Sequence, residues 1–174
     1  DGRLWAASDD GSDVKRLGVV NLETSLFEPV VDEKIWDITD FDISPDGRWI
    51  AFEVNQAGRS LLKFYDMKSG KVRTADGLPA GVVSGAKFSL WGELGLTLNS
   101  NQTGTDAYSI NPGTLAVTRW TRSETGGLDA ADNVAPELVE IESFDGEKMS
   151  GFLYRPDPAR HEGKRPLIIS IHGG

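Results

Sequence analysis

The sequence predicts a mainly β chain in which four-stranded blades of a partial β-propeller are followed by the first strands of a second, α/β domain. Three observations carry that expectation. An internal period of 45 residues aligns Gly2 with Gly47 and Gly92, Asn21 with Asp66 and Asn111, Phe27 with Val72 and Val117, and Ser44 with Ser89. Short β-rich runs bounded by Gly, Asn, Asp and Ser fill each period. The period then stops, and a different pattern takes over that ends in the apolar run Leu167–Ile171 and in His172-Gly173-Gly174.

A repeat of about 45 residues holding four short strands is the pattern of a propeller blade, whose sheet buries its two faces only when neighbouring blades pack on it. Residues 1–33 read as the last three strands of an incomplete first blade, 34–78 as a full blade and 79–123 as another. In the middle copy, strands are expected at Trp49–Val54, Leu61–Tyr65 and Lys71–Thr74. Closing a propeller takes about four blades or more, so further blades are expected ahead of residue 1.

Ser44-Pro45-Asp46-Gly47 has the composition of a turn, because Pro presets φ at the first corner and Asp and Gly tolerate the backbone that follows. Asp42, Ser44, Asp46, Gly47 and Glu53 also fall close to the ligand spacing of an EF-hand loop. The flanks are strand-like rather than helical, Pro45 interrupts the loop, and the equivalent Ser89-Leu90-Trp91-Gly92 has no carboxylate. A plain turn is the expectation, and no metal or cofactor is assigned. Trp5, Trp36, Trp49, Trp91 and Trp120 are expected to pack within and between blades rather than to form a stacking platform.

The bulk properties narrow the function classes. With 39% hydrophobic and 26% charged residues the balance is that of a globular chain, and 174 residues are enough to bury a core. A formal charge of -9 argues against a nucleic-acid partner, since such binders concentrate Lys and Arg. No apolar run approaches the ~18 residues of a membrane span, so no membrane partner is expected. The absence of cysteine removes disulfides, thiolate metal sites and a Cys nucleophile. The sequence starts at Asp1 rather than Met and shows no basic or apolar leader segment of its own, so any export signal is expected upstream of it and the compartment, cytoplasmic or periplasmic, is unread.

Residues 124–136 break the period and read as a linker, and 137–174 as the start of a catalytic domain. Leu138–Ser143 and Lys148–Tyr154 flank an Asp145-Gly146 hairpin signal. Pro156–Arg165 is a polar connection, and Leu167–Ile171 is rich in β-branched residues, as expected of a strand buried on both faces.

The order of blades, linker, Glu-Ser-Phe-Asp-Gly (142–146), Gly-Phe-Leu-Tyr-Arg-Pro (151–156) and Pro-Leu-Ile-Ile-Ser-Ile-His-Gly-Gly (166–174) resembles the prolyl oligopeptidase family of serine peptidases, most closely its acylaminoacyl-peptidase-like branch. The specific part of the resemblance covers 137–174, and the blades support it by composition. It implies a propeller that caps an α/β-hydrolase domain and admits short peptides while excluding folded proteins. It also implies that Gly174 turns its backbone N–H to the substrate oxyanion, with Gly173 allowing close approach. His172 stands where other branches carry a tyrosine donor, which favours the backbone donor and leaves the His172 side chain as the alternative. Paired glutamates that hold a substrate amino terminus in the dipeptidyl-peptidase branch have no counterpart here, because no Glu-Glu pair occurs.

The turn also has a physical rationale of its own. A tetrahedral intermediate concentrates charge on one oxygen, a fixed N–H about 3 Å away stabilises it, and glycine removes the Cβ that would obstruct the substrate. No G-x-S-x-G occurs, and the second histidine, His161, lies in a charged stretch, so these residues do not assemble a Ser-His-Asp triad. The expectation is a portion of a larger serine peptidase acting on short peptides or acylated N-terminal residues, itself inactive. A homo-oligomer of the parent enzyme is left open. Two other readings remain: a non-catalytic TolB-like propeller scaffold and an esterase on the same hydrolase fold.

Overall fold

A computed structural model describes residues 3–129 and 132–171. The chain divides into two compact units, residues 1–133 and 134–174. Almost all regular structure is antiparallel sheet, and the partial propeller expected from the period is the architecture found.

The first unit holds three consecutive meanders. The first joins β1 (Leu4–Ser8), β2 (Arg16–Val20) and β3 (Phe27–Val31). The second joins β4 (Ile38–Ile43), β5 (Trp49–Gln56), β6 (Arg59–Asp66) and β7 (Lys71–Thr74). The third joins β8 (Val82–Phe88), β9 (Leu94–Ser100), β10 (Gly104–Ile110) and β11 (Val117–Arg119). Within each sheet the strand order follows the chain, as short turns between antiparallel strands dictate.

The 45-residue anchors are explained by two turns. At β4–β5, Gly47 N–H donates to Ser44 O at 2.8 Å, Trp49 N–H donates to Ser44 Oγ at 2.8 Å, and Gly47 has φ of +68°. One period later Gly92 N–H donates to Ser89 O at 3.0 Å, Glu93 N–H donates to Ser89 Oγ at 3.1 Å, and Gly92 has φ of +88°. The anchors Asn21, Asp66 and Asn111 each accept, on Oδ1, an N–H from two residues on, an Asx turn that opens the last hairpin of its blade. Four residues beyond each anchor the backbone is left-handed, at Ser25, Gly70 and Leu115. The register of the repeat is therefore kept by backbone conformation even where a residue other than glycine stands there.

Two cores form between successive blades. Trp5, Leu17 and Val31 from the first blade meet Ile38, Ile50, Phe52 and Val54 from the second. On the opposite face of the second blade, Trp49, Ala51, Leu62 and Phe64 meet Val83, Leu94, Leu96, Leu98, Tyr108 and Ile110 from the third. Polar ties run alongside: Phe88 N–H donates to Asp42 Oδ2 at 2.7 Å, Val83 N–H donates to Ser60 Oγ at 2.9 Å, and Arg73 reaches the carbonyls of Pro112 and Gly113. Gly81 permits the third blade to start where it does, since a Cβ there would lie 2.2 Å from the Asn99 carbonyl oxygen.

The tryptophans divide. Trp5 and Trp49 are buried and Trp36 packs on the first core, as expected, but Trp91 and Trp120 are exposed. Trp91 lies in the β8–β9 turn, where nothing in the described residues covers it, and Trp120 follows β11 with its indole N–H on Ser109 Oγ at 2.9 Å.

The second unit is a hairpin of β12 (Glu137–Glu142) and β13 (Lys148–Leu153) in the register Glu137↔Leu153 to Glu142↔Lys148. Its turn repeats the blade pattern: Gly146 N–H donates to Ser143 O at 3.0 Å, with φ of +88° at Gly146. The expectation for Leu167–Ile171 is corrected. These residues form no strand and Leu167, Ile168, Ile169 and Ile171 are exposed, Ile168 to 89%. A strand buried on both faces requires hydrogen-bonded neighbours on each edge, and the described residues of this unit supply only the hairpin.

Candidate functional site

The sequence places its candidate site at His172, Gly173 and Gly174, which lie outside the described residues. The structure describes what leads up to them. After β13, Arg155 Nε donates to Glu137 Oε2 at 3.0 Å across the base of the hairpin. The polar connection closes on itself, with His161 N–H donating to Asp157 O at 3.0 Å and Arg165 donating to the carbonyls of Pro156 and His161. Leu167–Ile171 then runs exposed toward the His-Gly-Gly. Asp145 in the hairpin turn is held below the usual carboxylate range by the Ser143 hydroxyl and by Glu147 N–H.

The carboxylates that imitate a calcium loop are each taken up by separate protein partners. Asp42 accepts Phe88 N–H and stands 3.6 Å from Lys87 Nζ, Glu53 accepts the Ser60 hydroxyl, and Asp46 accepts Ser44 Oγ at 2.6 Å and Arg48 N–H at 3.1 Å. The Ser44 hydroxyl, then the Arg48 amide, hold Asp46 below its ordinary value. Among the described residues no group of three or more His, Cys, Asp or Glu side chains converges as a metal site would.

The propeller unit shows small cavities. One of about 10 Å³ lies between the second and third blades against Asp42, Phe52, Glu53 and Ala86, the room of a single water. A depression of about 180 Å³ is lined by Arg59, Ser60, Leu62, Asp76 and Leu78, below the ~300 Å³ at which small-molecule pockets begin. Sequence reasoning missed one constellation, the buried carboxylate Asp106 and its partners Arg119, Thr121 and Ser123. Its only sequence signal is a departure from the repeat, since Leu61 occupies the equivalent place one period earlier.

Comparison with known proteins agrees with the resemblance read from the motifs. No family model matches. Dipeptidyl-peptidase 5 of Porphyromonas gingivalis is 26% identical over 164 residues, 94% of this chain and 24% of that protein. Among solved structures, puromycin hydrolase superposes with a TM-score of 0.75 at 18% identity, over 90% of this chain and 24% of its own. Prolyl oligopeptidase B from Galerina marginata, bound to a 35mer hydrolysis and macrocyclization substrate, gives 0.73 at 16% identity over 87% and 22%. A prolyl endopeptidase studied for inter-domain dynamics gives 0.71 at 19% identity over 86% and 22%. The structural neighbours are prolyl oligopeptidase family members, and the chain spans about a quarter of the length of the relatives it matches.

Proposed function

We propose that this chain is the closing part of the propeller and the opening part of the catalytic domain of a serine peptidase of the prolyl oligopeptidase type, with residues 1–123 as blades, 124–136 as linker and 137–174 as the start of an α/β-hydrolase domain. One observation carries the reading: the likeness to the dipeptidyl-peptidase 5 relative spans 164 residues, more than the 133 of the first unit, so it takes in the hairpin unit as well as the blades. A free-standing propeller scaffold of the TolB kind would share the blades alone.

In this reading the propeller restricts access to short peptides, and Gly174 donates its N–H to the oxyanion while Gly173 clears the approach, with His172 as the alternative donor. The nucleophile and base come from outside this chain, which alone hydrolyses nothing. The substrate in this reading is a short peptide or an acylated N-terminal residue. Release of dipeptides is the second reading, favoured by the name of the curated relative despite the missing Glu-Glu pair.

The test uses the full-length protein containing this chain, offered an acetyl-aminoacyl anilide, a free dipeptidyl anilide, an internal-proline peptide, a simple ester and a folded protein. Turnover of a short peptide substrate that a serine-directed inhibitor abolishes, with the folded protein spared, is expected. Turnover of the ester alone would establish the esterase, and none at all the scaffold. Within an active enzyme, Gly174→Pro removes the N–H and is expected to lower kcat by roughly 10²- to 10³-fold with KM much less changed. Gly174→Ala keeps the N–H and controls for steric blockage. Near-parental kcat in a folded Gly174→Pro enzyme would pass the role to His172.

A further inference from the structure

Asp106 lies on β10 and, with 1% of its surface exposed, is the one fully buried carboxylate among the described residues. Both of its oxygens are used. Oδ2 receives Arg119 Nη2 at 2.5 Å, and Oδ1 receives Thr121 Oγ1 at 2.8 Å and Ser123 N–H at 2.8 Å, with Ser123 Oγ 3.2 Å away. The backbone ladder between β10 and β11 is only three residue pairs long, Tyr108↔Arg119 to Ile110↔Val117. Beyond it one more backbone bond and two side chains continue the pairing. Trp120 N–H donates to Ala107 O at 2.8 Å, Ala107 N–H donates to Thr121 Oγ1 at 2.9 Å, and Ser123 Oγ donates to Thr105 O at 2.6 Å.

The preceding blade has no such cluster. Its equivalent of Asp106 is Leu61; it makes the same backbone bond, Ala75 N–H to Leu62 O at 2.9 Å, and beyond that its chain crosses to the next blade, where Ser60 N–H donates to Gly81 O at 2.9 Å. The carboxylate thus occurs where the chain leaves the repeat.

We propose that Asp106 is a latch: a buried anchor that ties residues 119–123 to β10, fixes the path by which the chain leaves the last blade, and on release frees that segment while the blades stay folded. A short terminal ladder with few backbone bonds opens locally at low cost unless another group holds it. A carboxylate taking several charge-assisted or hydroxyl bonds is suited to do so, because each bond is strong where water is excluded.

The test compares the full-length protein containing this chain with its Asp106→Asn variant and with the double variant Thr121→Val/Ser123→Ala, which leaves the Asp106–Arg119 pair in place. Hydrogen exchange is read at the amides of Ala107, Trp120 and Ser123 and, as a reference, in β5 and β9. Trypsin cleavage after Arg119 and Arg122 provides a second readout. Exchange at the three amides and both cleavages are expected to rise about tenfold or more, with β5 and β9 unchanged. Unchanged protection at the three amides overturns the latch. Equal loss of protection in β5 and β9 overturns it too, because the cluster would then be part of the blade core. If Asp106→Asn does not fold, the double variant decides by the same readings.

Discussion

The second and third blades share a repeat and differ in what their faces meet. In β5 the run Trp49-Ile50-Ala51-Phe52 is buried without a break, because odd and even side chains enter different cores on the two sides of the sheet. In β9, Leu94, Leu96 and Leu98 are buried while Thr97 and Asn99 are exposed and Gly95 is half-buried. On that far face Ser84 and Thr97 bond to one another across the strands at 2.7 Å. A strand without alternation reports two apolar neighbours and an alternating strand reports one. The two copies of the repeat therefore differ according to packing, while their turns agree.

The largest expected effect breaks that contrast if it fails. Phe64 is fully buried between the second and third blades, with its ring 6.4 Å from that of Phe88 in an edge arrangement. Phe64→Ala is expected to cost about 3–5 kcal/mol through lost burial and the cavity left behind. Thr97→Ala, at the exposed face, is expected to stay within about 0.5 kcal/mol. Denaturant midpoints measured for both check the pair, and similar losses would mean that the far face of the third blade contributes as much to stability as the near one.

Acid is the next lever, and its target here is the buried carboxylate that the third blade has and the second, with Leu61 at the equivalent place, lacks. Burial pushes Asp106 toward its neutral form, but bonds from Thr121, Ser123 and Arg119 outweigh it and hold the carboxyl below its usual range. A depressed folded value means that the contribution to stability is complete above the unfolded value of about 3.9 and fades as pH falls through the folded one. The stability difference between the parent chain and Asp106→Asn, followed by denaturation from pH 7 to pH 2, is expected to be flat down to about pH 5 and then to shrink. A difference that grew on acidification would reverse the assignment.

The smallest effect concerns the turns the blades share. Ser25 and Leu115 hold the left-handed conformation that Gly70 supplies in the second blade, with φ of +59° and +62°. The conformation costs a non-glycine residue about 1–2 kcal/mol, and glycine returns part of that gain through a freer unfolded chain. Ser25→Gly, at an exposed site, is expected to raise stability by about 0.5–1 kcal/mol, and Gly70→Ala to lower it by a similar amount. Thermal midpoints that moved the other way would separate the repeat register from backbone conformation.

Much of the blade architecture was legible because it is local. Trp49–Val54, Leu61–Tyr65 and Lys71–Thr74 are each found within the observed β5, β6 and β7, and the hairpin strands differ from expectation by a residue at their ends. The Asx anchors showed as a constant step along the chain, since a side chain bonding its own backbone two residues on depends on nothing distant. The left-handed residues did not show, because Ser25 and Leu115 carry no sign of positive φ in their identity. Asp106 was missed for a similar reason: an isolated acidic residue in a strand looks exposed until Arg119, Thr121 and Ser123 are folded onto it. The exposure of Trp91 and Trp120 was not legible either, since an aromatic residue beside a strand gives no indication of which face has a neighbour.

By itself the sequence determined the period, the three strands of the first blade and the four of the two full ones, the turns at Ser44–Gly47 and Ser143–Gly146, and the change of pattern after residue 123. These follow from alternation, turn chemistry and repetition, all of which act over a few residues. Tertiary structure decided the rest: which face of each blade is covered, where the one buried carboxylate among the described residues finds its donors, and that Leu167–Ile171, apolar enough for a core strand, is unpaired. A run of β-branched residues states a preference for extended backbone, but a strand exists only when another backbone lies alongside to accept its hydrogen bonds.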